Sequence, residues 1–205
     1  MFRKLTLTLC SASLALAAPA VASEASAWEA FEFMRYNPVE YSGDDARIDL
    51  LSESASSLYY RKLSLAEREA ETLNWSWKIE QSNVAPTPMD LKKGDDRLLG
   101  LYVFFTNKPY SGNSIPRDGK FLSYVWGSSH PEGSLVENHN KQGKFIVTRK
   151  HNAPRDTWYA QTKSFKADFK KAFGFDAHPA FIAVIADTDD TKATTKASLK
   201  AISFE

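Results

Sequence analysis

The chain has 205 residues, with 26 Lys+Arg against 25 Asp+Glu; it is 43% hydrophobic, 25% charged and 13% aromatic, with one Cys. Values this ordinary exclude a disordered, collagen-like or disulfide-framed chain. A net charge of +1 lacks the basic surplus that neutralises phosphates in a nucleic-acid binder.

Residues 1–22 carry the pattern of an export signal. Arg3 and Lys4 precede an apolar run over 5–18, and Ala20-Val21-Ala22 offers a small-x-small cleavage site ahead of Ser23. The run is shorter than the about 20 residues that span a bilayer, and Leu9 before Cys10 is too bulky for a lipidation site. The expectation is therefore a signal peptide at 1–22 and a single β-sandwich domain at 23–205. The protein would be exported, periplasmic or secreted, with no transmembrane segment after cleavage. Cleavage removes two of the 26 basic side chains and the sole cysteine, so stability must come from packing. Nothing in the sequence fixes an oligomeric state.

Strands are expected next at 28–33, 47–51 and 55–61, with a turn at 41–44. A capped helical turn follows over 64–70, where Ser64 and Glu67 have capping-box spacing. Residues 73–80 alternate cleanly: Leu73, Trp75, Trp77 and Ile79 face one way, Asn74, Ser76, Lys78 and Glu80 the other. Further strands are expected at 98–106, 120–126, 144–150, 180–186 and 197–204. Those at 98–105 and 180–186 are apolar on both faces, which places them centrally. Between them, 162–173 reads as a helix with Phe165, Phe169 and Phe173 on one stripe, closed by Gly174 and Pro179. Many strands and two short helices give an all-β antiparallel sandwich; a parallel α/β sheet would need a helix between most strand pairs.

Chemistry-bearing residues gather in two acidic turns. Asp187-Thr188-Asp189-Asp190-Thr191 follows an apolar strand. A phosphotransfer loop of the D-x-D-x-T kind needs later strands for its Lys and metal ligands, and too little chain remains. An EF-hand needs Gly at position six and Glu at twelve, where this chain has Lys192 and Ser198. A looser calcium site on Asp187, Asp189 and Thr191 stays open, beside a plain turn in which Asp side chains bond nearby backbone N–H groups. Asp95 and Asp96 stand before the strand at 98–106, and the sandwich could bring both turns to one end. Trp75 and Trp77 lie on the apolar side of their strand, whereas Trp126 and Trp158 stand beside polar segments and are expected within reach of a sugar ring.

The four histidines lack zinc-enzyme spacing, no G-x-S-x-G elbow occurs, and no Gly-rich phosphate loop is present. These features point to binding rather than catalysis, with Asp95, Asp96, Trp126, Trp158, Asp187 and Asp189 as candidate contacts for a glycan or other polyhydroxylated ligand. An envelope hydrolase using a carboxylate pair and a structural or assembly partner in the envelope are the alternatives.

Several motifs in register resemble a known bacterial family. They are Ser52-Glu53-Ser54-Ala55-Ser56-Ser57-Leu58, Leu73-Asn74-Trp75-Ser76-Trp77-Lys78-Ile79, Lys93-Gly94-Asp95-Asp96 and Leu122-Ser123-Tyr124-Val125-Trp126-Gly127. Asp168-Phe169 with Phe173-Gly174, and 187–191 ahead of Ile202-Ser203-Phe204, complete the series. Together they resemble domain of unknown function 3047, a family of exported proteins. The resemblance implies a jelly-roll sandwich like those of galactose-binding-like and carbohydrate-binding modules, and it implies no activity.

Overall fold

The structure is a computed structural model, and it describes residues 27–92, 96–127 and 129–205. The export-signal reading at 1–22 lies outside the described residues. Among those described, the chain forms twelve strands and two short helices. In order these are β1 Glu29–Glu32, β2 Glu40–Asp44, β3 Arg47–Glu53, β4 Ser57–Lys62, α1 Leu65–Glu69, β5 Leu73–Ser82, β6 Arg97–Thr106 and β7 Lys120–Trp126. Then come β8 Leu135–Glu137, β9 Gly143–Arg149, β10 Tyr159–Lys163, α2 Phe165–Phe173, β11 His178–Asp187 and β12 Thr194–Phe204.

Two sheets result. One has seven strands in the order β1-β4-β11-β6-β7-β9-β8, the other five in the order β10-β5-β12-β3-β2. Neighbours are antiparallel except β7 with β9. The quartets β4-β11-β6-β7 and β10-β5-β12-β3 are the two sheets of a jelly roll, and the chain changes sheet at β1–β2, β3–β4, β4–β5, β5–β6, β9–β10, β10–β11 and β11–β12. The antiparallel sandwich expected from the period-two pattern is the fold found, and β11 and β6 lie side by side inside the larger sheet, as their two apolar faces demand.

The main core fills the space between the sheets. Leu73, Trp75, Trp77 and Ile79 from β5 meet Leu122, Tyr124 and Trp126 from β7 and Ile182, Val184 and Ala186 from β11. Helix α2 seals one flank: Phe169 stacks on Phe105 at 4.0 Å, and the Tyr124 hydroxyl donates to Asp168 at 2.9 Å. Residues 162–163, expected as helix, belong instead to β10, which pairs with β5. The expected turn at 41–44 is strand β2. Tyr41 sends its hydroxyl across to the Ser57 carbonyl at 2.7 Å. Gly43 allows the close return to β3, because a Cβ there would meet the Arg47 carbonyl oxygen at 1.9 Å.

A second apolar cluster covers the outer face of the seven-stranded sheet. Leu58, Tyr60, Tyr102, Phe104, Val125, Phe145, Phe181 and Ile185 form it, and loop residues Met89, Tyr110 and Ile115 pack over it. Arg61 is buried with Asp45 at 3.0 Å and Glu67 at 2.6 Å. Its guanidinium lies over the rings of Trp28 and Phe204.

Candidate functional site

The end of the sandwich where β3, β6 and β11 meet is built around Thr188. Its hydroxyl bonds Ser52 at 2.9 Å and accepts from Ala55 N–H at 3.1 Å, while its own N–H donates to the Ala55 carbonyl at 3.0 Å. This fixes the start of the β11–β12 turn. The rest of the turn is held from the other loop. Asp96 accepts from the N–H of Asp190 at 3.2 Å, from the N–H of Thr191 at 2.8 Å and from the Thr191 hydroxyl. The two acidic turns thus share one end of the fold, and Asp96, Asp187 and Asp189 bring carboxylate oxygens within 4.8 Å of one another.

Arg97 was not singled out by the sequence, yet it completes this group. It donates to Asp187 in a buried ion pair. Alternation from Leu99, Leu101, Val103 and Phe105, all in the inner core, would turn Arg97 inward as well. Between Gly100 and Arg97, β6 has two residues, Leu98 and Leu99, where β11 has only Ala186 between Ile185 and Asp187. That bulge reverses the face, so Arg97 lies on the outer side, over the rings of Phe145 and Tyr102 at 5.0 and 5.9 Å. A break in the alternation, two adjacent leucines after an arginine, was the available signal.

The electrostatics follow from crowding. Burial, a hydrogen bond to Asp187 and the charges of Asp187, Asp96 and Asp190 push the Asp189 carboxyl up to about 8. Burial also raises the Asp96 carboxyl, against the lowering effect of the Thr191 donors. Close carboxylates share protons in this way because they cannot all ionise cheaply. Asp189 therefore holds a proton near neutrality and donates it toward Asp187. The three carboxylates could hold a metal, but calcium prefers six to eight oxygens. Here Asp187 is already engaged by Arg97 and Asp96 by three donors. Thr191, expected as a ligand, is exposed and gives its hydroxyl to Asp96.

The Arg97–Asp187 pair lies in a cleft of about 670 Å³ on the outer face of the seven-stranded sheet. Phe31, Phe33, Tyr102, Phe104 and Phe121 supply its aromatic lining, with polar groups from Ser56, Asn138, His139, Asn140 and Gln142. Two glycines shape its floor. A Cβ on Gly143 would meet the Phe121 ring at 2.0 Å, and one on Gly100 would meet Tyr102 at 2.9 Å.

The sequence-derived contacts divide sharply. Asp96, Asp187 and Asp189 come together; Asp95 lies outside the described residues. Trp126 is corrected: it is 0% exposed and packs against Trp77 and Tyr159 in the inner core, so no ligand ring can reach it. Trp158 lies against Lys78 and Lys200 at 5.5 and 4.2 Å. Those lysines point outward from the five-stranded sheet, so Trp158 is on the opposite side of the sandwich from the cleft. The rings that lie against the Arg97–Asp187 pair are Tyr102 of β6 and Phe145 of β9, and the cleft around it adds Phe31, Phe104 and Phe121.

Fold and site together define a jelly-roll sandwich with an aromatic cleft on its larger sheet and a carboxylate cluster that meets the cleft at Asp187. The chain belongs to the family described as "Protein of unknown function (DUF3047)", which matches residues 26–203. No curated protein matches it. Among solved structures it is similar to the xyloglucanase domain of NopAA, a type three effector from Sinorhizobium fredii, solved with cellobiose. That match has 9% identity and a TM-score of 0.47, covering 89% of this chain and 97% of that one. The family 11 xylanase from Neocallimastix patriciarum is similar at 8% identity and a TM-score of 0.39, covering 87% and 99%.

Proposed function

We propose that this is an exported, non-catalytic binding domain for a glycan or similar polyhydroxylated ligand, held in the outer-face cleft. The observation that carries this reading is the buried Arg97–Asp187 pair set among aromatic rings in the cleft. A buried ion pair seldom stabilises a fold more than apolar residues of the same size, so its presence in the cleft fits a recognition role. Carboxylate and guanidinium side by side present an acceptor and a donor to neighbouring hydroxyls, while aromatic faces pack on the C–H face of a sugar ring. Pockets with apolar walls and a few convergent polar groups are the usual form of such sites.

A glycan array followed by calorimetry on the exported protein tests this. Binding is expected, with Asp187→Asn weakening it at least about tenfold, or 1.4 kcal/mol. Silence across diverse polysaccharides would overturn the reading.

The hydrolase alternative draws on the raised Asp189 carboxyl beside Asp187, an acid next to a base. The separation weighs against it. Glycosidase pairs stand about 5–5.5 Å or 6.5–9.5 Å apart, flanking the scissile bond, whereas these oxygens lie within 4.8 Å and bond each other. Release of new reducing ends from any bound glycan would favour hydrolysis.

A further inference from the structure

We infer that the ligand is a uronate-bearing glycan, whose free carboxylate is read by Arg117 and the amide groups of the 138–142 turn, at the end of the cleft away from Asp187. This rests on the cleft reading above and names the class of sugar that the cleft takes.

The two ends of the cleft differ. Its lining follows β6 from the Arg97–Asp187 pair to Phe104, which sits beside Phe121 in the ladder. The run from Arg97 to Phe104 spans about 23 Å at the rise of a strand. An anion at the far end therefore stands well beyond the about 8 Å over which salt screens the acidic cluster. Walls at that end come from the β6–β7 loop, through Arg117 and Gly119, and from the turn ahead of β9. The Gln142 carbonyl of that turn accepts from the Phe121 N–H at 3.2 Å.

Two observations set the chemistry there. The first is charge. Arg97 and Asp187 neutralise each other, which leaves the exposed Arg117 as the charge of the lining. Arg47, Arg61, Arg97 and Arg149 each meet a carboxylate; among the described residues Arg117 meets none. The second is the direction of the hydrogen bonds. The side-chain oxygen of Asn138 accepts from the Asn140 N–H at 3.1 Å, and that of Asn140 from the Gln142 N–H at 2.9 Å. What each amide has left for a ligand is its NH2 group, and both residues line the cleft. A guanidinium and two amide nitrogens make a surplus of donors. A sugar hydroxyl donates as well as accepts, whereas a carboxylate only accepts and can take two parallel bonds from one guanidinium. The donor surplus selects the carboxylate.

Calorimetry with trisaccharides of galacturonate, glucuronate and mannuronate decides the matter, each as free acid, as methyl ester and as the neutral parent sugar. In the series that binds, the free acid is expected to bind at least about tenfold more tightly than its ester or parent. Raising NaCl from about 0.05 to about 0.5 M should weaken the free acid about threefold or more, through screening. Arg117→Gln should cut the preference to under about twofold, and Arg117→Lys should keep the salt dependence. Thermal melts check that both variants fold, and the ester comparison reads the same preference with no substitution at all. Esters or parent sugars binding as tightly as the acids, or a preference that survives Arg117→Gln, would overturn the uronate inference while leaving the cleft reading intact. Absence of binding in every series would overturn both.

Discussion

Arg97 and Asp187 pair across two neighbouring strands on the outer face of the larger sheet, and a bulge in β6 is what puts Arg97 there. Removing one member leaves a buried charge without its partner, which typically costs about 3–5 kcal/mol. Asp187→Ala is therefore expected to lower the urea midpoint strongly. The double variant Arg97→Met with Asp187→Leu should recover most of that loss and still fail to bind glycan. A double variant as unstable as the single one would mean that the pair serves the fold.

The Asp189 carboxyl gives stability a definite pH dependence. Its folded value of about 8 stands above the ordinary carboxylate value expected when unfolded. Between the two, the folded state binds a proton that the unfolded state does not, so stability falls as pH rises from about 4 to about 8. The contribution is complete at low pH and lost through the upper value. Asp96, shifted the same way, adds to the slope. Asp189→Asn should flatten this part of the profile and raise Tm at pH 8, with little change at pH 4. An unchanged slope in thermal melts would contradict the shared proton.

The tryptophans separate packing from recognition. Trp126→Ala empties a fully buried site and should cost about 3–5 kcal/mol. Trp158→Ala removes an aromatic face from two surface lysines, a contact of about 0.5–1 kcal/mol when exposed, and should leave glycan affinity unchanged. Reduced affinity in folded Trp158→Ala would return the site to the five-stranded sheet.

Gly143 provides a test of cleft shape without touching charge. Its missing side chain lets the Phe121 ring lie flat on β9, so Gly143→Ala must displace that ring. The expected result is weaker ligand binding with a smaller effect on stability, read by calorimetry and thermal melts on the same sample. Unaltered binding would remove Phe121 from the site.

The sequence revealed the layers more readily than the site, for reasons visible in particular residues. Leu73, Trp75, Trp77 and Ile79 share one face at a spacing of two, and the burial of that face follows directly from its hydrophobicity. The same rule, applied to Leu122, Tyr124 and Trp126, puts Trp126 inside; the adjacent Gly127 and His130 suggested exposure, but strand parity prevailed. Arg97 escaped because Leu98-Leu99 marks a break in the alternation without saying which face Arg97 takes; that is set by the register with β11. The two apolar faces of 98–105 were legible. What covers the outer one was not, since Met89, Tyr110 and Ile115 come from loops distant in sequence. The meeting of Asp96 with Asp187 and Asp189 was conceivable from two acidic turns, and it took the jelly-roll winding to bring β6 and β11 together.

The placement of Trp28 and Phe204 around one guanidinium, that of Arg61, bears on how the chain could be rewired. Positions almost at opposite limits of the described sequence sit as neighbours, far in chain order yet bridged by a single cation. Ends this close tolerate circular permutation, so a short Gly-Ser tether joining them, with fresh ends opened in the exposed turn at 139–141, should still give a folded jelly roll.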